Sequence, residues 1–219
     1  KIDKCPVDTK RKRTGCYPAC CITSGFGGAG AFSDGKFNIT SEFGGWLSDY
    51  ISDDEVLDLI KYVDDINLKY GATTVITDPY NEKVRQIEVK AMSVGLKLLR
   101  SRVRHLGTEE NIKILEKIYR FLSEKITMIF QRSVKDIVVN NDTIEGVLLD
   151  NNVESKSKYV LLAVGREGSK WLNDIFEKRN IKMSQNQVDI GVRVETSNLI
   201  MDEINQNLYE GKFVYRTSV

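Results

Sequence analysis

The sequence predicts a mixed fold, α/β with an α+β portion, and three observations carry that expectation. Helical periodicity fills residues 52–66 and 108–122. Turn-bounded β-type runs crowd residues 134–157. An almost wholly apolar run at 159–164 then delivers Gly165 to the start of another helix.

Residues 1–45 read as loop, holding Cys5, Cys16, Cys20 and Cys21 and a dense set of glycines. Ser52 with Glu55 makes a capping box, and Val56, Ile60, Val63 and Ile66 then fall on one helical face. A second helix is predicted over 79–94, closed by Gly95, with a short apolar stretch at 96–99. Thr108 reads as the N-cap of a third helix. Glu109 and Glu110 suit its positive end, and Ile112, Leu115, Ile118 and Leu122 form its buried stripe. Residues 126–130 read as a short strand. Three strands follow at 134–139, 144–149 and 153–157, joined by the turns Asn140-Asn141-Asp142 and Asp150-Asn151-Asn152. The 159–164 run reads as a strand buried on both faces, followed by a helix through Trp171, Leu172, Ile175 and Phe176. Beyond 184, Val188, Ile190, Val192 and Val194 alternate. An acidic helical stretch and a last strand at 213–215 complete the order.

At 219 residues, the chain suffices for one good core or for one domain plus part of another. Hydrophobic residues at 41% and charged residues at 29% are ordinary for a globular protein. The 32 basic and 31 acidic side chains give a net charge of +1, so no global attraction to nucleic acid or to an anionic membrane is expected. Lys10, Arg11, Lys12 and Arg13 read as a local solvated cluster. Apolar runs are too short for a bilayer, and no signal peptide is evident at the start. A cytoplasmic, reducing location is the expectation. The absence of a first methionine and the stop inside a strand-like run predict an internal fragment.

Residues 25–30 satisfy the letters of a dinucleotide fingerprint, but no strand-to-helix context surrounds them: Pro18 interrupts upstream, and Ser33-Asp34-Gly35 is turn chemistry downstream. Glycines at this density either let the backbone approach a flat ligand, with Ser33, Asp34 and Lys36 beside it, or make a surface loop. At Ala163-Val164-Gly165 a small residue and a glycine end a buried strand before a helix, where amides can face phosphates. The cysteine spacing C-x10-C-x3-C-C is poor for a tetrahedral site, so no metal is expected. His105 is the sole histidine, either structural or in contact with a substrate or cofactor.

The run from Cys20 through Gly25-Phe26-Gly27-Gly28-Ala29-Gly30-Ala31-Phe32-Ser33-Asp34-Gly35-Lys36 resembles the motif of a bacterial and archaeal family of uncharacterised FAD-dependent (NAD/FAD-utilising) dehydrogenases. Arg104-His105-Leu106-Gly107-Thr108, residues 163–168 and residues 188–195 resemble further segments of that family in order. The resemblance implies a partial glutathione-reductase-type FAD/NAD(P)-binding domain with a three-stranded β-meander over 1–183, with a helical segment at about 46–104. The start of a substrate-side domain would occupy 184–219. It also implies that the first strand, GxGxxG loop and helix of that domain lie outside this sequence.

By the same resemblance, Gly27, Gly28, Gly30, Ser33, Asp34, Gly35, Lys36, Val134, Ala163 and Gly165 would lie along the cofactor. Lys36 or Arg166 would balance negative charge on it. The implied activity is FAD-dependent oxidation or reduction of a small-molecule substrate, with NAD(P) as a possible electron donor. Two alternatives stand beside it: a flavoprotein that modifies nucleic acid, and a non-enzymatic cysteine-cluster metal or interaction module.

Overall fold

The computed structural model describes residues 20, 23–184 and 188–217. Among them the elements are, in chain order, β1 (Lys36–Ile39), α1 (Asp53–Lys69), α2 (Glu82–Ser93), β2 (Leu96–Leu99), β3 (Arg102–His105), α3 (Thr108–Ser123), β4 (Val134–Asn140), β5 (Thr143–Leu149), β6 (Glu154–Lys156), α4 (Ser169–Lys178), α5 (Asn198–Asn207) and β7 (Lys212–Tyr215). The fold is therefore mixed helix and strand, with three small antiparallel sheets: β1-β3, β2-β7 and β4-β5-β6. Two compact units divide these elements. A meander unit takes the described residues through Gly30 with Tyr119–Ile190, and a ribbon unit takes Ala31–Ile118 with the described residues from Gly191 onward.

In the meander unit, the two tight turns anticipated from Asn and Asp are present. Asn141 and Asp142 take φ of 46° and 59°, the left-handed pair that matches strand twist in a two-residue hairpin, so β4 returns as β5. Asn152, at φ 62°, and the Asn151 side chain, which accepts from the Val153 amide at 3.2 Å, turn β5 into β6. Between Val138 and Val139 the ladder slips, and Gly146 sits at that slip with φ 148°. A Cβ on Gly146 would stand 2.1 Å from the Ser155 carbonyl oxygen, so only glycine keeps β6 paired there. Helix α4 is tied to β4: the Trp171 indole donates to the Lys135 carbonyl at 3.2 Å, and Ile175 is buried.

Two expected strands, and the alternating run beyond 184, differ from expectation. Residues 126–130, 159–164 and 188–194 enter no ladder among the described residues. Leu161 is 92% exposed, so 159–164 is not a strand buried on both faces, and in the alternating run Ile190 is 96% exposed. Their apolar, β-branched composition selects an extended backbone, but a strand is completed only by a neighbour that takes up its amides and carbonyls. None of the described segments does so.

In the ribbon unit, the Ser52–Glu55 capping box forms as expected: Ser52 Oγ accepts from the Glu55 amide at 3.3 Å, and Glu55 accepts from the Ser52 amide at 3.0 Å. Helix α2 begins at Glu82 rather than at 79, because the Asn81 side chain caps the Val84 amide at 3.0 Å. Its inner face places Val84 against Leu98 of β2 and Leu208, with Ile204 and Phe213 closing this small core. Each such fully buried aliphatic side chain contributes about 1.5–3 kcal/mol.

Two helical stripes sit rotated from the expected ones. On α1 the buried positions are Val56, Asp64 and Asn67, while Val63 is exposed. On α3 they are Asn111 and Ile114, with Ile112 outside. Polar partners cause both rotations. Arg104 draws Asp64 inward, and the Ala31 carbonyl accepts from Asn111 at 3.4 Å.

Candidate functional site

The ribbon of β1 and β3 positions a cluster of polar side chains. It is held by the turn before it. The Gly35 amide donates to Ser33 Oγ at 3.2 Å, the Gly35 carbonyl accepts from Leu106 at 3.0 Å, and the Asp34 carbonyl accepts from Gly107 at 2.9 Å. Gly35 has φ +64°, and a Cβ there would meet Leu106 at 3.0 Å and Asn111 at 3.1 Å. Leu106 and Asn111 therefore leave little room for a side chain at this position.

In the ribbon's register Lys36 stands opposite His105, so both side chains project from one face. Leu208 is fixed in the small core, and this sets Tyr209 and Glu210 over that face. The His105 and Tyr209 rings lie 4.8 Å apart, centroid to centroid, at a 40° tilt. Tyr209 donates its hydroxyl to Asp34 Oδ2 at 3.5 Å, and His105 Nε2 is 4.0 Å from the same oxygen. Lys36 forms an ion pair with Glu210.

The hydrogen bond to Glu210 raises the Lys36 pKa. Burial partly offsets it, and the charges of Glu210 and Asp34 add to the rise. Burial pushes the Tyr209 phenol up, and the Asp34 charge pushes it further. At neutral pH the face therefore offers a fixed cation, a neutral phenol donor and a carboxylate acceptor around one imidazole. Such a set can hold a polar substrate atom and pass it a proton.

Of the expected cofactor residues, Ser33, Asp34, Gly35 and Lys36 fall in the ribbon unit. Gly27, Gly28, Gly30, Val134, Ala163 and Gly165 fall in the meander unit. There, residues 23–28 form turns and Ala29–Phe32 a 3-10 turn leading to β1. The glycine-rich run thus opens no α-helix, as its sequence context suggested. Phe26 anchors it, edge-on to Tyr119 at 5.5 Å. Val134 begins β4 opposite Leu149, and Ala163 lies exposed just before the Gly165 turn into α4.

A Cβ added at Gly28, Gly30 or Gly165 would meet nothing within 4 Å. Gly168 is the N-cap of α4 and gives no side-chain cap, while the Gly168 and Ser169 amides donate to the Val164 and Arg166 carbonyls at 3.3 Å. Cys5, Cys16 and Cys21, on which the metal expectation rests, lie outside the described residues, as do Lys10–13. No helix among the described residues is long and apolar enough to cross a membrane.

Tyr209 and Glu210 were not anticipated. The only sequence signal for them is the turn chemistry of Leu208-Tyr209-Glu210-Gly211 ahead of β7. No protein-family model matches the chain, and no curated protein matches it.

Proposed function

We propose that the chain is part of an FAD-dependent oxidoreductase acting on a small-molecule substrate. The carrying observation is the convergence of Asp34 and Lys36, from the loop that resembles the dehydrogenase motif, with the only histidine and with Tyr209. Support for the glutathione-reductase-type fold comes from the β4-β5-β6 meander followed by an apolar run, Gly165 and a helix.

Bound FAD supplies the hydride and electron transfer. On this reading, Gly27, Gly28, Gly30, Val134, Ala163 and Gly165 lie along the cofactor, with the first amides of α4 near its phosphates. Ser33 and Gly35 hold the turn that presents Asp34 and Lys36. Lys36 balances negative charge, Tyr209 donates a proton to a substrate oxygen or nitrogen, and Asp34 and His105 orient that phenol.

FAD titration followed by visible absorption tests the reading, applied to this chain and to one extended upstream. The extended protein is expected to take up FAD and turn yellow, and the shorter one to bind more weakly. Tyr209→Phe is expected to lower substrate turnover roughly 100-fold with FAD uptake unchanged. An extended protein that takes up no FAD overturns the proposal.

A further inference from the structure

On the other face of the β1–β3 ribbon the chemistry is opposite. Phe37 and Ile39 alternate with Lys36 and Asn38 along β1, and with α1 they wall a cavity of about 360 Å³. Its lining is aliphatic and aromatic, chiefly Phe37, Ile39, Val56, Leu59, Ile60 and Val63, with Asp64 already held by Arg104. The cavity opens onto a wider apolar surface. Leu47, Leu59 and Val63 are about half exposed at 46%, 49% and 52%, and Trp46, Tyr50 and Tyr62 stand out further. Exposed aromatic side chains around an apolar groove are the composition of a protein-binding surface.

The charge beside the groove is acidic. Asp49, just after Leu47, and Asp53 and Glu55, which flank the apolar stripe in the first turn of α1, are exposed, while the one cation in residues 46–65, Lys61, is paired to Asp58 at 3.2 Å on the far face of the helix. Ser52 hydrogen bonds hold the Glu55 carboxyl below its ordinary pKa, so this acid stays charged. Val56, Leu59, Ile60 and Val63 follow i, i+3, i+4, i+7 spacing, so they share one face of α1 and form one wall of the groove.

We infer that the α1–β1 groove is a docking site for a partner's amphipathic helix with an apolar face and lysine- or arginine-rich flanks. The acidic rim selects against an acidic helix and speeds the encounter with a basic one. This inference is independent of the flavin reading and uses the face of the ribbon that the polar cluster does not.

The test uses the full chain carrying Trp171→Phe, which leaves Trp46 beside Leu47 as the only tryptophan. The probe is a synthetic leucine–lysine amphipathic helix of about 15 residues, compared with a leucine–glutamate helix of the same pattern. Binding is read from the Trp46 emission shift and from hydrogen-exchange protection along α1. The leucine–lysine helix should bind about tenfold or more tighter than the leucine–glutamate helix, and more weakly as salt rises.

Leu59→Lys, at a half-exposed position whose replacement spares the core, should weaken binding about tenfold. Asp49→Lys with Asp53→Lys should do the same, whereas Glu109→Lys with Glu116→Lys on α3 should leave it unchanged. Circular dichroism establishes that each variant is folded. Equal binding of the two helices, or equal loss from the α3 reversal, overturns the inference. So does a self-associated chain that Leu59→Lys converts to monomer, because a second copy would then be the occupant.

Discussion

In the ribbon unit Asp64 of α1 grips Arg104 of β3. In the meander unit Asp136 of β4 holds Lys178 and Arg179 at the end of α4. Both aspartates tie a helix to a strand, yet their surroundings differ. The Arg104 side chain is 3% exposed and Asp64 11%, with two parallel bonds of 2.6 and 2.7 Å and a further bond from Arg104 to the Thr73 carbonyl. Asp136 is 21% exposed and Lys178 61%, although Arg179 also reaches it at 2.8 Å. The same charge pairing therefore means different things. In the ribbon it is a buried, bidentate contact whose partners have nowhere else to go. In the meander water shares the charge and can replace a lost partner.

The largest expected effect follows from removing one half of the buried pair. Asp64→Asn leaves the Arg104 guanidinium buried without its counter-charge and should cost about 3–5 kcal/mol in urea unfolding. A loss below about 1 kcal/mol would break the contrast between the two pairs. Replacing both members, Asp64→Leu with Arg104→Met, should recover most of that loss, since apolar packing substitutes for a buried pair.

Asp136→Asn should cost less, about 1–2 kcal/mol, because the partners it releases are partly hydrated. That smaller effect should carry a pH signature. Burial pushes the Asp136 carboxyl up, but the Lys178 hydrogen bond, the Ile137 amide and the charges of Arg179 and Lys178 outweigh it. The folded pKa therefore lies below the ordinary 3.8. A depressed carboxyl stabilises the fold fully above that ordinary value, and the stabilisation disappears as pH falls through the folded one. Urea midpoints of the parent and Asp136→Asn should thus differ at neutral pH and converge in acid. Parallel pH curves would remove Asp136 as the source. At the small end, Arg85→Gln, which breaks a fully solvated pair with Glu82 on α2, should leave Tm unchanged within error.

Legibility from sequence follows how local each feature is. The meander was readable because Asn141, Asp142 and Asn152 fix its turns within a few residues of the strands they join. The Ser52–Glu55 cap was readable for the same reason. Residues 159–164 carry the composition of a strand, but the ladder that would complete it depends on a neighbour that composition does not name. On α1 the apolar periodicity pointed to Val63, whereas the buried position is Asp64, drawn in by an arginine 40 residues away. Half of the polar site was visible in the same way. Asp34 and Lys36 announce themselves by loop chemistry, while Glu210 reaches Lys36 across 174 residues by way of the β2–β7 ladder.

Gly146 has a consequence for how this chain would look among its descendants. Its missing side chain is demanded by the Ser155 carbonyl, in the middle of a sheet. Any lineage that keeps the slip in β5 must keep glycine at this position, whatever chemistry the protein performs. In an alignment it would stand as unvarying as a residue beside a ligand, and an alanine there would mark a lineage in which the third strand has shifted register or separated.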